Sequence, residues 1–394
     1  MSNSSIYAVI GCGMQGVAEA YDLAVFGNAS LIVMADRDCS VADRAATRIN
    51  ELTGKTIAKP VELDASHVSN VVQLLKKHNV TVCCGAAHYA LNLPLSQASL
   101  EAGAHFCDMG GNTGVVMQQH ELHNEAVSKG IGIVPDCGIA PGTANVLAAR
   151  AIKHIRCDAV QIYCGGLPQS RDLPLGYRVV FSVSGLTNEY TGSCSEIRDG
   201  NIVSVPAFTE KEELVLPEPV GHSEAFLTSG GTSTGPLSFH GKVKHYGYKT
   251  VRYPGHYDVI RSMIDMGFLD LNPIQVDGKS VVPREVFHTL ASQYWNYPDE
   301  PDLLVLRVIA KGLNEAGEPV VMSQDLMDFQ DMKTGFTAME RTTAFSTAIV
   351  AAELASGQLG PGVHFLESAF DPDRFVEALA KRNLNVSTLI NIAK

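Results

Sequence analysis

Basic charge is scarce in this chain. Lys and Arg number 30 against 42 Asp and Glu over 394 residues, a formal net charge of −12. A surface of that sign repels phosphate backbones and anionic headgroups, which argues against broad nucleic-acid or membrane-surface binding. A few local arginines can still invert the potential inside a cleft, so anionic small molecules stay open. Long apolar runs are missing too, and with them any helix able to span a bilayer. The opening Met1-Ser2-Asn3-Ser4-Ser5 lacks the basic-then-apolar order of a secretory signal, so a soluble cytoplasmic protein is expected. Aromatic residues make up only 7%, with a single Trp295 that reads as packing, yet hydrophobic residues reach 45%. That is ample material for two cores and leaves no disordered class to consider. The nine cysteines are an odd number whose spacing fits neither a zinc ribbon nor a disulfide framework, so reduced structural thiols are expected. His120 and His123 lie three apart without an acidic or thiol partner nearby, and no metal is expected.

Glycine is what the chain has in telling places. Ile6 to Ile10 is a short apolar run that reads as a buried parallel strand, and Gly11-Cys12-Gly13-Met14-Gln15-Gly16 follows at once. A helical pattern runs from Val17 to Phe26, and Leu31 to Ala35 is a second buried strand ending at Asp36-Arg37. The first glycine permits a tight turn, the second lets backbone approach a pyrophosphate, and the third lets helix pack on strand. The helix N-terminus offers N–H groups and partial positive charge to phosphates. Asp36 stands where a carboxylate can accept from a ribose 2′-hydroxyl and would repel a 2′-phosphate, which favours NAD. Arg37 beside it keeps NADP possible. Met14, Gln15, Asp64, Gly85 and Ala86 complete the candidate cofactor contacts.

Strands and helices continue to alternate through Val80–Cys84, Leu91–Ala102, His105–Asp108 and Ile131–Val134. Asp64-Ala65-Ser66 reads as a cap opening a helix that runs to about His78. The expected class is α/β: a Rossmann-type doubly wound parallel sheet over residues 1–140. In such sheets ligands lie beyond the carboxyl ends of the strands, where Tyr89, Asp108, Asn112 and Asp136 fall. Beyond Pro141-Gly142 the pattern changes. Ala159–Cys164, Tyr177–Ser184, Ile202–Val205, Lys249–Tyr253, Leu303–Ala310 and Val320–Leu326 read as strands, with a hairpin at Asp199-Gly200. Residues 141–334 are therefore expected as a second, α+β substrate and dimerisation domain with a mainly antiparallel sheet. Residues 335–394 are expected as a helical tail that returns to the dinucleotide domain.

Several segments together resemble the saccharopine dehydrogenase-like superfamily. They are the glycine loop, Glu101 to Asp108, Asp136-Cys137-Gly138-Ile139-Ala140-Pro141-Gly142, Gly165-Gly166-Leu167-Pro168, Phe181-Ser182 with Gly185-Leu186, Arg252-Tyr253-Pro254-Gly255-His256, and the tail from Gly362-Val363-His364 to Phe375. Saccharopine reductases carry aspartate before the Pro-Gly. Ala140 at that place is closer to lysine 6-dehydrogenases.

That resemblance implies oxidation of the ε-carbon of L-lysine, with hydride passing to the nicotinamide, an imine, then hydrolysis to a semialdehyde and ammonia. Under it, Arg252 is the expected clamp for the α-carboxylate, or else an arginine paired with structural carboxylates. His256 is the expected base, needing a pKa near neutrality, or else a capping or packing histidine. Tyr89 and Asp108 join it as catalytic candidates, with Asn112, Asp136 and Ser182 expected to bind substrate. Phe181, Glu189 and Tyr190 could also line the pocket. The competing activities are reductive condensation by a saccharopine reductase or carboxynorspermidine dehydrogenase, whose extra carboxylates would need further cations such as Arg171, Arg178 or Lys153. A catalytically silent NAD-binding sensor is the alternative of another class. A small amino-acid substrate and a homo-oligomer, drawn together through the second domain's sheet, are the partners expected.

Overall fold

A computed structural model describes residues 4–393; Met1 to Asn3, part of the segment read for a secretory signal, and Lys394 lie outside the described residues. The chain divides into two compact units. Of the described residues, one holds 4–154, 233–238 and 340–386, and the other holds 155–232, 239–339 and 387–393.

In the first unit the elements are β1 (Ser5–Ile10), α1 (Met14–Phe26), β2 (Ala29–Asp36), α2 (Cys39–Thr53), β3 (Ala58–Glu62), α3 (Val68–His78) and β4 (Val82–Gly85). They continue with α4 (Asn92–Ala102), β5 (His105–Asp108), α5 (Thr113–His120), α6 (His123–Lys129), β6 (Gly132–Val134) and α7 (Ala144–His154). The strands are parallel in the order β3-β2-β1-β4-β5-β6, and Gly362–Val363 adds a seventh beside β6. Order reverses between β1 and β4, the switch point at which doubly wound sheets open a crevice for ligands.

The elements form where side chains demand them. Ala8, Ile10, Val33, Phe106 and Ile133 point from the sheet into one core with Val71, Val72 and Leu75 of α3 and Leu95 and Ala98 of α4. The α2 helix starts at the Asp38 side chain, which accepts from Ser40 N, and ends at left-handed Gly54. The strand β3 was not visible in the sequence because Pro60 interrupts it. It lies at the sheet edge, where a missing N–H costs little. The helix expected from Asp64 begins only at Val68. Asp64 Oδ1 instead accepts from Ser66 N (3.0 Å) and Ser66 Oγ (2.6 Å), making a turn before it. Near the chain's end, Arg382 forms a two-pronged pair with Asp22 of α1, both contacts at 2.7 Å and both side chains buried. That pair holds the tail segment 340–386 on the first unit.

The second unit contains a nine-stranded mixed sheet. Its path runs Glu212–Val215, His222–Leu227, His245–Arg252, Arg156–Pro168, Asp302–Leu313, Pro319–Phe329 and Val386–Ile392. From Glu212–Val215 to Pro319–Phe329 the pairings are antiparallel except that of His245–Arg252 with Arg156–Pro168, which is parallel. Asp199 and Gly200, both with positive φ, close a side hairpin between Ser193–Arg198 and Asn201–Pro206. The expected strand Tyr177–Ser184 is corrected: residues 177–182 form no strand, and Val183–Glu189 is a helix, started by Ser182, whose Oγ accepts from Gly185 N at 3.0 Å. The alternation of Phe181, Ser182, Val183 and Ser184 reads as a strand by pattern, and the cap hydrogen bond decides otherwise. Among the described residues no helix is long and apolar enough to cross a membrane.

Candidate functional site

The first unit presents a dinucleotide cradle made chiefly of backbone. Gly11 has φ +101°, and a Cβ there would lie 2.7 Å from Ala86 O, because β1 and β4 run side by side at this point. A Cβ on Gly16 would lie 1.9 Å from Gly11 O, so helix and loop can approach only through glycine. Around Gly13 the equivalent space is open, and the residue is exposed at the N-terminus of α1 with no side-chain cap. A phosphate can therefore reach the first-turn N–H groups. Asp36 ends β2 and braces the loop, its Oδ2 accepting from Cys12 N (2.9 Å) and Oδ1 from Asp38 N (3.1 Å). It is only part-buried, so one edge stays available to a ribose hydroxyl. Arg37 is exposed next to it, Met14 is exposed, and Gln15 is half-buried. Asp64 is exposed with Ser66 as its partner. Gly85 is buried against Phe106 and Asp108, and Ala86 N donates to Ile10 O (2.9 Å). These residues fit a nicotinamide dinucleotide.

At the ends of β5 and β6 lies an acidic pair. Asp108 is fully buried, with Oδ1 accepting from Gly110 N (2.7 Å) and Asp136 N (3.3 Å) and Oδ2 from Gln119 Nε2 (2.7 Å). Burial pushes its pKa up to about 6. Asp136 is held at φ +59° and is also buried. Its Oδ2 accepts a short hydrogen bond from Ser233 Oγ, while Oδ1 finds no donor. Burial, with the Asp108 and Glu367 carboxylates adding, pushes it up to about 8, so it is largely protonated at neutral pH. Ser233 also has positive φ (38°) and stands 3.4 Å from Thr113 Oγ1. Two strained residues hydrogen-bonded to each other mark a place worth testing for function. Asn112 caps α5 by accepting from Val115 N (3.2 Å), and the Tyr89 ring lies tilted against His88 with 4.2 Å between centroids. Ser233 went unnoticed in the sequence because it follows Gly230-Gly231, which reads as a linker.

The second unit gathers side chains from distant parts of the chain. Arg252 ends its strand and is 2% exposed. Its Nε donates to Tyr190 Oη (3.1 Å) and its Nη1 to Val251 O (2.8 Å), and its guanidinium lies 5.0 Å over the Tyr177 ring. No carboxylate lies within ion-pair distance of it among the described residues. Tyr190 Oη is 2.9 Å from His256 Nε2, and His256 Nδ1 is 3.3 Å from Leu175 O. A carbonyl can only accept, so Nδ1 carries the proton and Nε2 accepts from the tyrosine. His256 is fully buried, and burial together with Arg252 pushes its pKa down to about 3. The ring is therefore neutral, far from the near-neutral pKa a base was expected to need. Glu189 goes the other way: burial raises it to about 7, offset in part by Arg252. Ser182 is exposed and occupied as a helix cap.

The remaining candidates are accounted for structurally. Arg171 and Arg178 donate to backbone carbonyls of Val220 and Glu300, and Lys153 pairs with Asp371 and Asp373. Cys137 is buried, its thiol pushed well up by burial and donating to Val134 O (3.1 Å). All nine cysteines are free, and Trp295 packs on Tyr177 and Phe287.

Strand order, glycine cradle and terminal acid define a Rossmann-class NAD(P)-binding domain followed by a mixed-sheet domain. The chain belongs to the saccharopine dehydrogenase family: residues 7–134 match the saccharopine dehydrogenase NADP binding domain and residues 138–384 the saccharopine dehydrogenase C-terminal domain. Among curated relatives it is 23% identical over 242 residues to saccharopine dehydrogenase [NADP(+), L-glutamate-forming] of Schizosaccharomyces pombe, covering 59% of this chain and 52% of that one. It is 28% identical over 152 residues to carboxyaminopropylagmatine dehydrogenase of Synechocystis sp., covering 37% of each. The chain thus spans about half the length or less of these relatives. The apo saccharopine dehydrogenase (L-Glu forming) from Saccharomyces cerevisiae shares the fold with a TM-score of 0.79 at 18% identity, covering 98% of this chain and 100% of that one.

Proposed function

We propose that the protein is an NAD(P)-dependent oxidoreductase acting on the amine of an amino acid, with the ε-amine of L-lysine as substrate and a semialdehyde as product. One observation carries this reading: Arg252 is buried and oriented by Tyr190, and among the described residues no carboxylate lies within ion-pair distance of it, Glu189 acting on it only through space. A guanidinium kept from water without a directly contacting carboxylate has a strong affinity for an incoming one. We assign the one carboxylate of a monocarboxylate to Arg252, because Lys153 is paired with Asp371 and Asp373 and Arg171 and Arg178 donate to backbone carbonyls.

Bound dinucleotide supplies the hydride acceptor, and Asp36 favours NAD through the 2′-hydroxyl. The protein's own groups do the rest. His256 is a positioning residue: it fixes the Tyr190 hydroxyl, which fixes Arg252. Glu189, poised near 7, accepts the proton that the substrate ammonium must lose. The protonated Asp136 donates to a substrate or water oxygen through the oxygen that Ser233 leaves free. Tyr89 and Asn112 are secondary candidates for contacts with substrate, and Asp108 acts by positioning Asp136. The second reading is reductive condensation, supported by the similarity to a saccharopine dehydrogenase [NADP(+), L-glutamate-forming] and to a carboxyaminopropylagmatine dehydrogenase.

The test follows absorbance of reduced cofactor with purified protein, NAD and L-lysine. Turnover supports the reading. Consumption of reduced cofactor only with a semialdehyde plus glutamate or another amine moves the protein to the condensing branch. Silence in both sinks catalysis and leaves an NAD-binding sensor. We also read the protein as a homo-oligomer, because Met266, Leu271, Ile274, Leu290 and Tyr294 of the second unit are exposed. A monomer mass in sedimentation would remove that.

A further inference from the structure

One turn beyond Gly16, α1 buries an acid that the dinucleotide cradle does not use. Glu19 is 0% exposed, and no N–H or O–H donor reaches either carboxylate oxygen, the Cys84 thiol being the polar group beside it. Its neighbours are treated differently. Asp22 on the same helix has the Arg382 fork, and Asp108 at the end of β5 has three N–H donors. Facing Glu19 are two thiols, Cys84 of β4 and Cys107 of β5, both 0% exposed and in register with each other on adjacent strands. A Glu19 oxygen and the two Sγ atoms all lie within 4.8 Å of one another.

We infer that Glu19, Cys84 and Cys107 form a buried binding site for a thiophilic divalent ion of the zinc class, separate from the dinucleotide cradle. Two sulfurs and one carboxylate exclude magnesium and calcium, which prefer all-oxygen sites, and suit zinc. With Zn–S about 2.3 Å and Zn–O about 2.0–2.2 Å, ligand atoms around one ion stand roughly 3.5 Å apart. The observed cluster, within 4.8 Å, closes to that spacing on loading. Loading exchanges one divalent ion for up to three protons, two from thiols and one from the carboxyl. The ion would fasten the helix of the glycine loop to the middle of the sheet.

The test is the metal content of the full chain, produced with zinc under reducing conditions and measured by plasma mass spectrometry, then repeated with cadmium. The expected result is one ion per chain and an ultraviolet thiolate-to-cadmium charge-transfer band. C84S, C107S and E19Q should each lower occupancy at least about tenfold. Should those variants misfold, X-ray absorption at the zinc edge of the wild-type chain decides, with two sulfurs and one oxygen expected from protein. Folded, dinucleotide-binding wild-type chain that holds under a tenth of an ion overturns the inference. Histidine nitrogen in the zinc shell, or full occupancy in folded C84S and C107S, also overturns it.

Discussion

The two units hold their sites by opposite means. In the first, the cradle is backbone, and residues 11–16 with Asp36 provide most of it within one β-α-β unit. In the second, the site is a relay of side chains, Arg252 to Tyr190 to His256 to Leu175 O, whose members lie 62, 66 and 81 residues apart. A backbone site survives change in most side chains and fails at its glycines. A side-chain relay tolerates change around it and fails at its charged anchor.

That contrast can be broken first at the scaffold. Arg382→Ala leaves Asp22 buried and unpaired, and should lower the unfolding free energy by about 3–5 kcal/mol in chemical denaturation. A loss under about 1 kcal/mol would mean that the tail is held some other way. Next, Gly16→Ala puts a methyl 1.9 Å from Gly11 O and should abolish measurable dinucleotide binding by calorimetry. Retained affinity would refute a backbone-limited cradle.

Arg252→Ala should lower kcat/KM for the amino acid by about a hundredfold or more while NAD affinity stays constant. Equal losses in both would make Arg252 a scaffold residue. His256→Asn should cost less, about tenfold, and leave the pH profile near neutrality unmoved, because the ring titrates near 3. A lost limb around pH 6–7 would restore the histidine as base.

A last prediction concerns pH. In the fold Asp136 keeps its proton until about 8, whereas in the unfolded chain it ionises near ~3.9. The folded state binds the extra proton between those values, so its contribution to stability is complete at low pH and is lost as pH rises towards 8. Asp136→Asn should flatten that decline in thermal midpoint. An unchanged slope would place the proton elsewhere.

How legible this was depends on distance along the chain. The strands flanking the glycine loop, the loop itself and Asp36 were readable because each is fixed by neighbours a few residues away. Arg252 and His256 could be singled out as types but not given roles. Histidine chemistry suggests a base, and only burial beside an arginine takes its pKa down to about 3. Tyr190 was one aromatic among several until its hydroxyl was found between them. Ser233 and Asp136, 97 residues apart, share no local pattern at all.

Sequence alone fixed the alternation of strand and helix, the glycine cradle and the sign of charge at Asp36, since these follow from periodicity and short-range sterics. Tertiary structure decided which buried groups keep their partners. It paired Asp22 with Arg382, left Arg252 without an acid, and left Glu19 facing two thiols. The reason is desolvation, which depends on everything packed around a group and on almost nothing beside it in the chain.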